Sequence, residues 1–241
     1  MIARRLLVAG VVTAISFAIL AGLGGWQWRR LAEKQALIAT IATRSTLPAT
    51  AFPAAETWAA LDVAALAYQP VSVTGRFDHT REAHVFFSLA KPRNGIGGPG
   101  YLIVTPLIQP DGRIILVNRG FVPAERKDVA SRRAGQSVGP VTITGLIRMP
   151  EARGRFSNAD DPGKNVYYIR DAATLAAGLG LTGVAPVIVD QTAPVPDGGL
   201  PMPGATQIEL PNNHLGYALT WWSLALVLLV IFGLFARSAR R

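Results

Sequence analysis

No cysteine occurs among the 241 residues of this chain. Disulfides, CxxC redox pairs, thiolate metal sites and cysteine nucleophiles are therefore excluded, even in a compartment that permits them. Methionine is scarce too, and Met149 and Met202 stand too far apart to form a copper-handling cluster. No glycine loop ends in GK[ST] and no GxSxG is present, so P-loop and esterase chemistry have no support. Gly95, Gly97 and Gly100 fit GxGxxG, but Pro99 interrupts the motif and the strand-like YLIVTPLI follows where a helix is required, so the stretch reads as a turn. A basic stripe interleaved with aromatics is missing. The net charge of +9 is raised by five terminal arginines, leaving nineteen basic against fifteen acidic residues between them, which argues against nucleic acid as a partner.

Long apolar runs, by contrast, are present at both ends. From Leu215 to Ala236 the only ionisable side chain is Tyr217, and at about 1.5 Å per residue this run reaches about 33 Å, enough to cross a bilayer. Leu6 to Leu23 is apolar or small throughout and reaches about 27 Å. Arg4 and Arg5 before it resemble the basic end of a signal peptide, yet the run exceeds the usual apolar core and no small-x-small cleavage site follows, so a retained anchor is expected. Arginines at both chain ends place the termini in the cytoplasm under the positive-inside tendency. Arg29, Arg30 and Lys34 oppose this for the first span, but nothing basic lies in the twenty residues before the second.

The sequence predicts a membrane-anchored α+β protein, with two transmembrane helices flanking a β-rich extracytoplasmic domain with peripheral helices. The expected boundaries are a cytoplasmic N-terminus (1–5), transmembrane helix 1 (6–26), a helical extension (27–47), a β-rich periplasmic domain (48–191), a proline- and glycine-rich linker (192–213), transmembrane helix 2 (214–236) and a cytoplasmic C-terminus (237–241). The extension is proline-free with apolar residues at Leu31, Leu37, Ile38 and Ile41, and Pro48 and Pro53 end it. A short helix around Ala54 to Ala67 is expected, with Thr57 as a cap. From Tyr68 the period becomes two: VSVTGRF, AHVFFSLA, YLIVTPLI, RIILVNRGFV and VTITGLIR read as strands, with Asp111-Gly112 as a hairpin turn. VYYIR and PVIVD add strands and AATLAAGLG a helix between them.

Three histidines are available for chemistry. His79 and His84 flank a strand start in FDHTREAHVFF, where a turn or surface role is favoured over metal binding because no convergent ligand set accompanies them. His214 opens the second apolar run, and residues 214, 217, 218 and 221 share a helix face. Imidazole, phenol, a small gap at Ala218 and the indole of Trp221 would suit a planar ligand with a metal centre, of which haem is the obvious one. An aromatic belt at the membrane interface accounts for the same residues without a ligand. On the other span Trp26, Trp28, Arg29, Arg30 and Lys34 reach the same interface, where arginines could pair with propionates or with lipid headgroups.

Several ordered motifs, GGWQWRRLAEK, GRFDHTRE, LVNRGFVP, ITGLIR, NVYYIRD and NNHLGYALTWW, run nearly from end to end. In these the chain resembles the surfeit-locus cytochrome c oxidase assembly family. The resemblance implies a two-pass protein of the inner membrane that assembles haem-copper oxidases and is not an enzyme. Haem a is the implied cofactor, His214 its iron ligand, and His214, Tyr217, Trp221, Trp26, Arg29 and Arg30 the cofactor-binding residues. The implied partners are the oxidase catalytic subunit, the haem a synthesis machinery and membrane lipid. Family motif positions also fall on Gly24, Gln27, Lys34, Gly75 and Thr220, and Arg119 and Arg170 become scaffold or docking residues by resemblance. Departures are Glu33 where an aromatic is common, Tyr167 for a frequent tryptophan, and a missing basic residue near Gln207. A cofactor-free scaffold gripping neighbouring helices is the alternative.

Overall fold

Ile2–Ser45 lacks proline and is rich in leucine and alanine, and it forms one uninterrupted helix, α1, of 44 residues. The computed structural model describes residues 2–155, 157–204 and 212–239. Gln207, Arg240 and Arg241 lie outside the described residues. Two units are distinct, a helical one (1–41 and 209–241) and a β unit (42–208).

In the helical unit α1 packs against α4 (His214–Ser238). A Cβ built on Gly24 would lie 2.3 Å from Trp222 Nε1, and one on Gly10 3.5 Å from Phe232, so the helices run antiparallel. Among the described residues the buried positions are Gly24 and Leu31 on α1 and Ala218 and Ala225 on α4, each pair seven residues apart. Small residues at that spacing let two backbones approach closely along one seam. Both helices are long and apolar enough to cross a membrane.

The β unit contains β1 (Thr50–Ala51), a short α2 (Val63–Leu66), β2 (Pro70–Phe77), β3 (Ala83–Arg93), β4 (Ile96–Ile108) and β5 (Ile114–Pro123). It continues with β6 (Pro140–Arg148), β7 (Val166–Tyr167), α3 (Ala172–Gly178) and β8 (Val184–Ala193). The strand order is β1-β2-β6-β8-β5-β4-β3-β7, and β2 also pairs with β4. That extra pairing closes β2, β6, β8, β5 and β4 into a small barrel, with β3 and β7 continuing outward from β4. Alternate residues fill its interior: Val71, Val73 and Phe77 from β2, Ile115 and Val117 from β5, Ile143 and Ile147 from β6, and Val187 and Val189 from β8. A second apolar layer lies outside, where Leu175 of α3 and Tyr167 cover Leu102, Val104, Leu116 and Ile188. Because β5 serves both layers, nine of its ten residues are buried, which is why it reads as a continuous apolar run.

The predicted strands and the helix from Ala172 are present, although VYYIR is strand only at Val166–Tyr167 and the glycine stretch read as a turn is one only at Asn94-Gly95, with Gly97 and Gly100 inside β4. Asp111-Gly112 turns β4 into β5 through hydrogen bonds from Gln109 N to Arg113 O (2.8 Å) and from Gly112 N to Gln109 O (2.9 Å). Two expectations change. The helix at 54–67 is a 3-10 turn, Ala55–Ala60, followed by α2. Asp62, not Thr57, supplies the cap, accepting from Ala65 N, while the Thr57 hydroxyl donates to Ala54 O at 2.6 Å. The segment expected as a linker from residue 192 is folded into the β unit as far as the described residues go, to Gly204. β8 extends to Ala193, and Met202 exchanges two backbone hydrogen bonds with Phe121 (2.8 and 3.0 Å). The segment is not simply extended, since Asp197–Gly199 forms a 3-10 turn, and Leu200 and Met202 pack against the outer layer and make it a strap. The strap needs Gly120, whose φ is +129° and whose Cβ would sit 2.0 Å from Met202 O.

Candidate functional site

His214 is the first residue of α4, directly after Asn213, whose side chain makes no capping bond. Its Nδ1 is 2.6 Å from Gln27 Oε1 on α1. Gln27 lies on the face that carries Gly24 and Leu31, at positions 24, 27 and 31, so the pair sits within the packed seam on α1. Nε2 of His214 has no hydrogen-bond partner among the described residues. Elsewhere between the two helices, the Trp28 and Trp222 rings meet with centroids 5.7 Å apart, tilted at 37°, and Gly24 provides the notch in which the Trp222 indole rests.

Of the six residues proposed from sequence, His214 is the one with a hydrogen bond to the facing helix among the described residues, to Gln27. Trp26 and Tyr217 are 47% and 56% exposed, Trp221 is half-buried, and Arg29 and Arg30 are exposed, with Arg30 bonded to Glu33 at 2.8 Å. Ala218 is fully buried, so the expected gap is filled by helix packing. Sequence reasoning left Gln27, Trp28 and Trp222 out of the cofactor set. The signal for Gln27 was its seam position between Gly24 and Leu31, hidden because the WQW triplet reads as an interfacial belt.

The donor chemistry fits haem. A neutral imidazole bonded through Nδ1 presents Nε2 as an available ligand, and flat aromatic and guanidinium groups stand on the first two turns of α4 and midway along α1. Among the described residues no three His, Asp or Glu side chains gather as an independent metal site.

The other two histidines belong to a buried charge network at one end of the barrel. The β4–β5 register slips between Ile103 and Val104, leaving Arg119 as the extra residue of a bulge. Its guanidinium lies 4.7 Å from the centre of the Phe77 ring and donates to Gly135 O, to Gln136 Oε1 (3.3 Å) and to His79 Nδ1 (3.3 Å). Arg119 is 1% exposed, and burial lowers its pKa to about 10. Beside it Glu82 and Arg132 form a buried ion pair, and His84 Nε2 lies 3.0 Å from Glu82 Oε1. Burial alone would raise the Glu82 carboxyl, but the hydrogen bonds from His84 and Arg132 outweigh it and hold it below the ordinary range. His79 and His84 are thus half-buried and buried protein partners, not surface groups. Arg119 is interior as well, and Arg170 is bound to Glu151 with its Nη1 3.7 Å from Asp190, so both serve as scaffold and neither as an exposed docking residue.

His79 is pushed below the ordinary imidazole range by burial first and by the Arg119 charge second. With the folded pKa below the unfolded one, its stabilising contribution is present above about pH 6.5 and is lost as pH falls through the folded value. The thermal midpoint of the full-length protein is expected to start falling below about pH 6.5 and to fall again as Glu82 protonates. His79→Gln removes the first decline and leaves the second.

A SURF1 family model matches residues 14–226. The chain belongs to the SURF1 family. A SURF1-like protein of Monosiga brevicollis is 34% identical over 222 residues, covering 88% of this chain and 81% of its own. Surfeit locus protein 1 of Mus musculus is 35% identical over 217 residues, covering 84% and 67%, and that of Homo sapiens 33% over 220 residues, covering 85% and 69%. The SURF1 match includes the Gln27 and His214 positions and the whole barrel.

Proposed function

We propose that this SURF1 family member is an assembly factor for a haem-copper cytochrome c oxidase. In this reading it holds haem a near the outer membrane interface and assists its insertion into the oxidase catalytic subunit. The supporting observation is the His214 imidazole at the start of α4, its Nδ1 2.6 Å from Gln27 Oε1 midway along α1 and its Nε2 without a hydrogen-bond partner among the described residues, on two apolar helices. Haem a, when bound, would supply an iron able to take an imidazole nitrogen. His214 offers that ligand, Trp26, Tyr217 and Trp221 offer flat apolar surface, and Arg29 and Arg30 offer charge-assisted donors for propionates. The helices sit in the inner membrane with both termini cytoplasmic, and the barrel domain is periplasmic. The protein is a carrier and not an enzyme, and it takes haem a from the machinery that synthesises it.

A second reading, a cofactor-free scaffold that stabilises an oxidase assembly intermediate, is favoured by the filled position at Ala218 and by the exposed apolar faces of α1 and α4. The absorption spectrum of detergent-purified protein from cells that make haem a separates the two. The carrier reading expects a haem a spectrum that weakens or shifts in His214→Ala. Haem-free spectra for both proteins, with haem a available, support the scaffold.

A further inference from the structure

We infer that Gln27 is a positioning residue that sets the tautomer of His214, holding the proton on Nδ1 and leaving the Nε2 lone pair for a ligand. The inference rests on the carrier reading above for what the ligand is, but the hydrogen bond itself does not depend on it.

The amide oxygen of Gln27 only accepts, so at 2.6 Å from Nδ1 it requires that nitrogen to carry the proton. A neutral imidazole has one N–H, and Nε2 is therefore the unprotonated nitrogen. The distance between the two helices at this level is fixed by the Gly24 notch under Trp222 and by the buried positions Leu31 and Ala218. Gln27 consequently meets the imidazole without having to move either helix. Packing alone gives no reason for a polar pair here, since an apolar side chain would continue the seam of Gly24 and Leu31 equally well. In apolar surroundings an amide oxygen on one ring nitrogen also raises the basicity of the other, as outer hydrogen-bond partners of ligating histidines do.

The test uses the full-length protein in detergent, first without haem. Nitrogen-15 spectra of the imidazoles are recorded at about pH 8.5, where an ordinary imidazole is neutral, with His79 and His84 assigned from their own variants. Wild type is expected to show the Nδ1–H form at His214. Gln27→Leu is expected to lose that preference, and Gln27→Glu, which can only accept, is expected to restore it. In protein from cells making haem a, Gln27→Leu is expected to carry about tenfold less haem, with Gln27→Glu near wild type and the circular dichroism of all three alike. A wild-type Nε2–H form overturns the inference. So does a Gln27→Leu variant that keeps both tautomer and haem content. If the tautomer follows Gln27 but no variant ever carries haem, the hydrogen-bond assignment stands and the carrier reading falls. If wild type carries haem while the tautomer ignores Gln27, the carrier reading stands and this inference falls.

Discussion

Glu82→Leu is expected to destabilise the β unit by about 3–5 kcal/mol, because it leaves the Arg132 guanidinium buried without its counter-charge. The Arg132 side chain is 1% exposed and that of Glu82 3%, so solvent cannot substitute for the missing partner. His84 loses its acceptor in the same change. Chemical denaturation of the full-length protein in detergent, followed through the β signal, measures the loss. Adding Arg132→Met should recover most of it, since replacing both charges by apolar groups removes the desolvation cost along with the attraction. A double variant no more stable than the single one would show that the ion pair is not what holds this end of the barrel together.

Gly75→Val is the second large effect. Only two residue pairs, Arg76↔Ile108 and Phe77↔Leu107, join β2 to β4 and close the barrel. A Cβ at position 75 would lie 2.6 Å from Ile108 O and 2.9 Å from Leu107 Cγ. The carbonyl belongs to the strand being paired, so relief requires the seam itself to open. The expected cost is about 3 kcal/mol or more, the upper part of the range for overpacked interiors. Amide exchange should rise first at residues 75–77 and 107–108. If those amides stay protected, the closing seam is not where the added methyls are absorbed.

Much of the strand layout was legible because side-chain alternation is a local property. Val71, Val73 and Phe77, or Ile143 and Ile147, announce an inward face from their own spacing, and Asp111-Gly112 announces the turn between two such runs. The closure of the barrel was not legible. Alternation says which side of a strand is apolar but not which strand lies beside it, and β8 enters between β6 and β5 from far along the chain. The charge network was hidden for a related reason. Glu82 and His84 are polar residues two apart at a strand edge, a pattern that ordinarily faces water, and their burial follows from Arg132 about fifty positions later. A bulge at Arg119 leaves no mark in the composition of LVNRGFVP. In the helical unit the apolar runs were plain, and His214 was conspicuous as a lone imidazole at a helix start. Gln27 carried a seam position of its own, but pairing it with His214 needs the antiparallel register that brings residue 27 to residue 214.

The position of β8 has a consequence for synthesis. As the chain emerges in order, β6, β2, β4 and β5 can join edge to edge, but the row begins and ends on strands with apolar inner faces and unsatisfied backbone groups. Residues 184–193 arrive late and are the wedge that mates both edges at once, through Thr144↔Ala193 to Arg148↔Ile188 on one side and Leu116↔Ile188 to Asn118↔Asp190 on the other. Until then the nascent domain is an open, adhesive trough. A chain terminated before residue 184 would persist in that form, a target for chaperones and proteases, although most of its barrel residues had already been made.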